Sequence, residues 1–200
     1  MTTTLGAAFD DRPRCWWPDG LSRADPAMVA YHDGEWGRPV SLDVELFERL
    51  SLEGFQAGLS WSTILHKREA FVRAFAGFDP ERVRTFDQTD RARLIADAGI
   101  VRNRAKIDAT IGNAAAFLAL AEEYGSFAAY LAAQLPRSAP ILPRAATGAD
   151  IPTVTAESEA LSVDLQRRGF RFVGPTIVYA FMQSVGLVDD HLPGCHRYLG

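Results

Sequence analysis

The sequence has only two cysteines, Cys15 and Cys195, near opposite ends of 200 residues. In a reducing compartment that pair excludes a disulfide framework and leaves two readings open, metal ligation or two unrelated buried thiols. No apolar run approaches the roughly 20 residues of a membrane-crossing helix, and residues 1–14 lack the basic start and apolar middle of a signal peptide. A cytoplasmic protein with no membrane partner is therefore expected. The net charge of −4 shows no basic excess, so any nucleic-acid footprint has to be local. Period-two alternation is nearly absent as well, which argues against sheets. What remains, at 48% hydrophobic and 23% charged residues, suffices for one well-buried core or two small lobes sharing it.

The pattern from residue 41 onward is helical, and the expected fold is all-α. Ser41 can cap a helix with Val44, Phe47, Leu50 and Phe55 on its apolar face, ended by Gly58. Residues 62–76 repeat that spacing, and Gly77 followed by Asp79-Pro80 supplies a stop and a new start. Thr89 can cap a short helix closed near Gly99, Ile107, Ile111, Ala114 and Leu118 mark a longer one over 103–122, and Ser126 can open another. Four prolines in residues 136–152 disfavour regular structure and read as a connection between lobes. Thr155 can cap a helix ending at Gly169, after which "GFRFVGPT" makes a tight turn and Pro175 opens a helix ending at Gly186. We thus expect a tail over residues 1–13 and a single α-helical domain over 14–200.

Three groups of residues carry chemistry. His191 and Cys195 are spaced i, i+4, so on one helical turn they would share a face, and Cys15 with His32 forms a matching pair upstream. Two thiolates and two imidazoles would suit tetrahedral zinc with no position left for a water, while the alternative is two buried thiols and two satisfied histidines. His66 and His196 are the weaker ligand candidates. Glu53 lies in the apolar stretch "LSLEGFQAGLSW", so it either pairs structurally or faces a pocket. Trp17, Trp36 and Trp61 with Tyr31 could frame a flat slot in which a cationic planar base would stack, or could be plain core. The turn at Gly174, opening into a helix N-terminus beside Arg167, Arg168 and Arg171, can hold a phosphate or be an ordinary helix–turn–helix connection.

Taken together, "RCWW", "AYHDGEWG", "LEGFQAGLSW", "DAGIVRNRAKIDATIGNAAAFL", "RRGFRFVGPT" and "GLVDDHLPGC" occur in an order that resembles the 3-methyladenine DNA glycosylase I family. The resemblance runs from about residue 14 to 198 and implies a helix-hairpin-helix glycosylase fold with one structural zinc joining the terminal segments. It implies that Cys15, His32, His191 and Cys195 hold the zinc. It also implies that Glu53, as the catalytic carboxylate, and Tyr31 hydrogen-bond an extruded base, that Trp61 stacks on it and that Trp36 shapes the pocket. Arg171, Gly174 and Thr176 of "FRFVGPT" would then grip double-stranded alkylated DNA. The implied activity is a monofunctional DNA glycosylase, without lyase activity, that flips out 3-methyladenine and hydrolyses its N-glycosidic bond to start base excision repair. A monomer is expected. Asp189 stands where the wider superfamily carries a catalytic aspartate, and here it can instead orient His191, as can Asp190. A non-catalytic damage binder and a zinc-stabilised interaction module are the other classes these residues allow.

Overall fold

Residues 11–17, 25–135, 140–141 and 145–199 are described by a computed structural model. Among them are nine α-helices: α1 (Pro26–Gly34), α2 (Asp43–Gln56), α3 (Trp61–Ala74), α4 (Pro80–Val83), α5 (Gln88–Ala96), α6 (Arg104–Tyr124), α7 (Phe127–Gln134), α8 (Ala156–Arg167) and α9 (Pro175–Ser184). Short 3-10 turns cover Ala76–Phe78 and Gly148–Asp150. There is no strand among the described residues, only an isolated parallel bridge between Ile141 and Val188. That bridge lies in the proline-rich connection, of which residues 136–139 and 142–144 fall outside the described residues. Residues 1–10 of the expected tail also fall outside them, whereas Pro13 accepts a hydrogen bond from the His196 amide at 2.8 Å.

Most helices begin where a short polar side chain can take up a free backbone amide. Asp25 caps α1 ahead of Pro26, Ser60 caps α3, Asn103 caps α6, Ser126 caps α7 and Thr155 caps α8. Two expected caps are wrong. Leu42, not Ser41, precedes α2 and gives no side-chain cap. Asp87, not Thr89, caps α5, forming a reciprocal box with Asp90. In the first case the polar residue that matters is Asp43, whose carboxylate accepts from the amides of Phe127 and Ala128 and so caps the distant α7.

Helix α2 is the wedge of the molecule, packed against α3, α6, α7 and α9. Leu46, Phe47, Leu50, Leu52 and Phe55 belong to one apolar cluster that continues through Phe71, Phe75 and Phe117 to Phe181 and Val188. Glu53 and Arg49 are buried on the same helix, each a cost unless paired or used. Helix α6 clamps two neighbours by their backbones: Lys106 Nζ donates to the carbonyls of Phe55 and Ala57 at the end of α2, and Asn113 exchanges two hydrogen bonds with the backbone of Arg171. Segment 37–40 runs along the end of α9 through Gly37 N to Gln183 O and Val40 N to Val185 O. A Cβ at Gly186 would lie 2.5 Å from the backbone of Arg38 and Pro39, so only glycine allows this approach.

Candidate active site and metal centre

The end of α2, the start of α3 and the length of α1 enclose a cavity of about 560 Å³. Tyr31, Trp36, Glu53 and Trp61 all line it. Trp17 closes the aromatic wall, its ring centroid 6.3 Å from that of Tyr31 and 5.2 Å from that of Trp36. The Tyr31 and Trp61 rings lie 5.0 Å apart and tilted by 46°. Glu53 is only 3% exposed and takes part in no hydrogen bond among the described residues. Burial pushes its carboxyl up to about 8, with the Arg49 charge one helical turn away pulling in the other direction. Burial, then the Glu53 charge, raises the Tyr31 hydroxyl far above its ordinary value, so it stays a donor.

Sequence reasoning missed Gln56, Met28, Asp25 and Gln183, which also line the cavity. Gln56 follows Glu53 by three residues and shares its helix face, a signal that was available. Gln183 comes from α9 and carried none.

Behind the aromatic wall the two chain ends meet. The donor atoms of Cys15, His32 and Cys195 lie within 4.8 Å of one another, with Cys195 Sγ 3.5 Å from His32 Nε2. His191 joins them, its ring centroid 5.0 Å from that of His32 and its buried Nε2 without a partner. Each imidazole is held from behind by an acid, His32 Nδ1 by Asp33 Oδ1 at 2.8 Å and His191 Nδ1 by Asp189 Oδ1 at 2.6 Å. Such a carboxylate fixes the tautomer and turns Nε2 inward, as in metal-binding histidines. Backbone amides of Leu192 and Arg197 donate to the two sulfurs at 3.4 Å each. Burial, with Cys195 adding to it, pushes the Cys15 thiol up to about 12, while burial lowers His32 to about 4. Cys15, His32 and Cys195 are thus close enough to share one ion, and His191, beside them with an unpartnered Nε2, is the fourth donor a dication could draw in.

The expected helical turn for His191 and Cys195 is absent; the pair sits on an irregular segment, because Pro193 and Gly194, at φ 90°, break the helix between them. Gly37 packs so closely on the His191 ring that a Cβ there would lie 2.9 Å from Cε1. Asp189 is engaged with the ring and amide of His191, and Asp190 with Tyr179 Oη and Gln183 Nε2. Asp33, unremarked in the sequence, is a hub. Burial alone would raise its carboxyl, yet hydrogen bonds from Arg14, His32 and His196 hold it well below the usual range.

The connection between α8 and α9 places Arg171 and Thr176 at the surface and leaves the first amides of α9 without a side-chain cap. Phe172 in this turn, at φ 56°, rests against Gly54, next to Glu53. Arg168 does not belong to the expected basic patch: it bonds Asp164, Glu123 and Tyr124, and its guanidinium lies 5.6 Å from the Tyr130 ring.

A helical fold with a buried carboxylate at the edge of an aromatic cavity can bind a flat, electron-poor ring. The sequence matches the methyladenine glycosylase family over residues 21–198. It is 46% identical over 187 residues to DNA-3-methyladenine glycosylase 1 of Escherichia coli K12, covering 94% of this chain and 97% of that one. A crystal structure of a 3-methyladenine DNA glycosylase I superposes with a TM-score of 0.86 at 45% identity, over 93% of this chain and all of that one. A Staphylococcus aureus 3-methyladenine DNA glycosylase I, solved for its recognition of 3-methyladenine, gives 0.83 at 38% identity over 86% of this chain and 92% of that one. The chain belongs to the methyladenine glycosylase family.

Proposed function

We propose that this protein is a DNA-3-methyladenine glycosylase that extrudes the alkylated nucleotide from duplex DNA and hydrolyses its N-glycosidic bond. The observation that carries this reading is Glu53, a buried carboxylate without a hydrogen-bond partner on the wall of an aromatic cavity. Methylation at N3 gives the nucleoside's base a positive charge, so the glycosidic bond is weak and a strong general acid is unnecessary. What the site has to supply is a flat slot, given by Tyr31 and Trp61 with Trp36 shaping it, and a negative charge near the base and the developing oxocarbenium sugar, given by Glu53. Water then attacks the sugar. Ordinary adenine lacks the charge and gains less from the same groups. The lining includes no lysine among the described residues, and Lys106 nearby is bound to two carbonyls, which supports a monofunctional enzyme without an amine nucleophile for lyase chemistry.

Incubating the protein with methylated duplex DNA and separating the freed bases by chromatography tests the reading directly. Release of 3-methyladenine is expected. Tight binding of damaged duplex with no released base would replace the enzyme by a damage binder.

Cys15, His32, His191 and Cys195 would hold one structural zinc, which supplies charge neutralisation and a cross-link between the chain ends and takes no part in bond breaking. The turn at Gly174, with Arg171 and Thr176, would hold the DNA backbone through uncapped amides and a cation, contacts that carry no base information. Arg171→Ala should accordingly weaken damaged and undamaged duplex alike and lower the salt slope by about one. A change in preference among damaged bases at unchanged overall affinity would refute that assignment. The fold would then act as one domain, monomeric on its substrate, over residues 14–200.

A further inference from the structure

Arg49 is a buried guanidinium in the wall of helices around the cavity that the reaction above does not use. It is 6% exposed, its Nη2 donates to Glu35, its Nη1 is buried without a partner, and its Cζ lies 5.6 Å from the centre of the Tyr31 ring. Glu35 ends α1, Arg49 lies on α2 and Arg68 on α3, and Arg68 donates both to Glu35, at 2.6 Å, and to Glu48, at 2.6 Å. The network therefore bolts together the three helices that deliver Tyr31, Glu53 and Trp61.

We propose that Arg49 is a positioning residue of the base site, set one helical turn from Glu53 and packed on the Tyr31 ring, so that its charge opposes the burial of the Glu53 carboxyl and its stacking holds Tyr31 against the base. This rests on the glycosylase reading above. The charges around Glu53 show why the device works. From α1 come Tyr31 and Glu35, from α2 Arg49 and Glu48, and from α3 Arg68, so two guanidiniums face two carboxylates and this network is neutral by itself. Lys106 of α6 is held on the carbonyls of Phe55 and Ala57, α9 carries no ionisable acid or base apart from Tyr179, α7 has only Tyr130, and Asp25 at the cavity edge is bonded to Ser62 and near His66. Arg49 can thus oppose the desolvation of Glu53 without presenting a net positive charge to a cationic base. Without that charge the buried carboxyl would ionise only at still higher pH, and less of the anion that selects the base would be present at neutral pH.

The experiment follows the Glu53 carboxyl by carbon-detected NMR against pH in the wild type and in Arg49→Met, Arg49→Gln and Arg49→Lys, alongside single-turnover excision at each pH. The wild-type midpoint falls near 8, and excision rises with pH through the same range. Neutralising Arg49 should raise the midpoint by roughly one unit and slow excision roughly tenfold at neutral pH, with recovery at high pH. Arg49→Lys should keep both near wild type. Recovery separates this role from plain damage to packing, which slows excision at every pH. A midpoint unmoved in both neutral variants, or a loss of rate independent of pH, overturns the proposal. If wild type releases no base at any pH while the Glu53 midpoint still moves with Arg49, the glycosylase reading fails and the electrostatic pairing stands.

Discussion

Glu53→Gln protein should fold, load its metal and excise 3-methyladenine roughly ten- to a thousandfold more slowly than wild type, the cost of removing one preorganised electrostatic stabiliser. Glutamine keeps the size and an acceptor and discards only the charge, so the loss measures how far charge rather than shape drives the reaction. Affinity for the neutral product base should fall less than the rate. Single-turnover excision at wild-type speed by folded Glu53→Gln protein would make Glu53 a structural acid and leave the proposed mechanism without its anion.

The same substitution should make the protein harder to melt. The Glu53 carboxyl stands near 8 in the fold against 4.5 when unhindered. Because the folded value is the higher one, the protonated form favours folding: its contribution is complete below about 4.5 and is lost as pH rises toward 8. Glutamine does not ionise, so the gain on substitution should be near zero at acid pH and grow to on the order of 3 kcal/mol at pH 8, roughly 5–10 °C of melting temperature for a chain of this size. Calorimetry at several pH values reads it. A melting difference that does not widen with pH would mean that the carboxyl is better solvated than its burial implies.

Removing the metal should have the largest effect on stability. Chelation, or Cys15→Ser, should lower the melting temperature by more than 10 °C, on about 5 kcal/mol, because a closed site contributes folding energy and cross-links distant segments. Elemental analysis should find one zinc per chain in the wild type. None of the four donors lines the cavity, so excision should persist below the lowered melting point. A protein with no zinc, or a Cys15→Ser variant with full metal content, would leave the cluster as two buried thiols and two histidines held by acids.

Much of this was legible in the sequence because it is local or because chemistry marks it. Ser126 and Thr155 announce helix starts within three residues, and Gly77 before Asp79-Pro80 announces a break. The aromatic wall and Glu53 stood out as residues of the wrong character for an exposed loop or an apolar helix. What escaped depends on contacts across the chain. Asp43 looks like the first residue of its own helix, yet caps α7, 84 residues away. Arg168 looked available to a phosphate until Glu123, 45 residues upstream, claimed it. Arg49 in "LFERLSLEG" reads as a solvated residue, and only the closure of α1 and α3 over α2 buries it. Spacing also misled at His191 and Cys195, where an interval of four residues arises from a turn instead of a helix.

The meeting of Cys15 with the segment around Leu192, 177 residues later, bears on the order in which the molecule is made. Cys15 and His32 are synthesised well before His191 and Cys195, and the cluster closes only when those later residues arrive. The cavity waits as well, since its lining draws on Trp17 at one end and Gln183 toward the other. A chain whose synthesis stops before His191 would carry Glu53 and both helices that flank it, yet leave the rear of the aromatic wall open where the His191 ring packs on Trp36. The aromatic wall is therefore complete only once the segment around His191 has folded back onto Trp36.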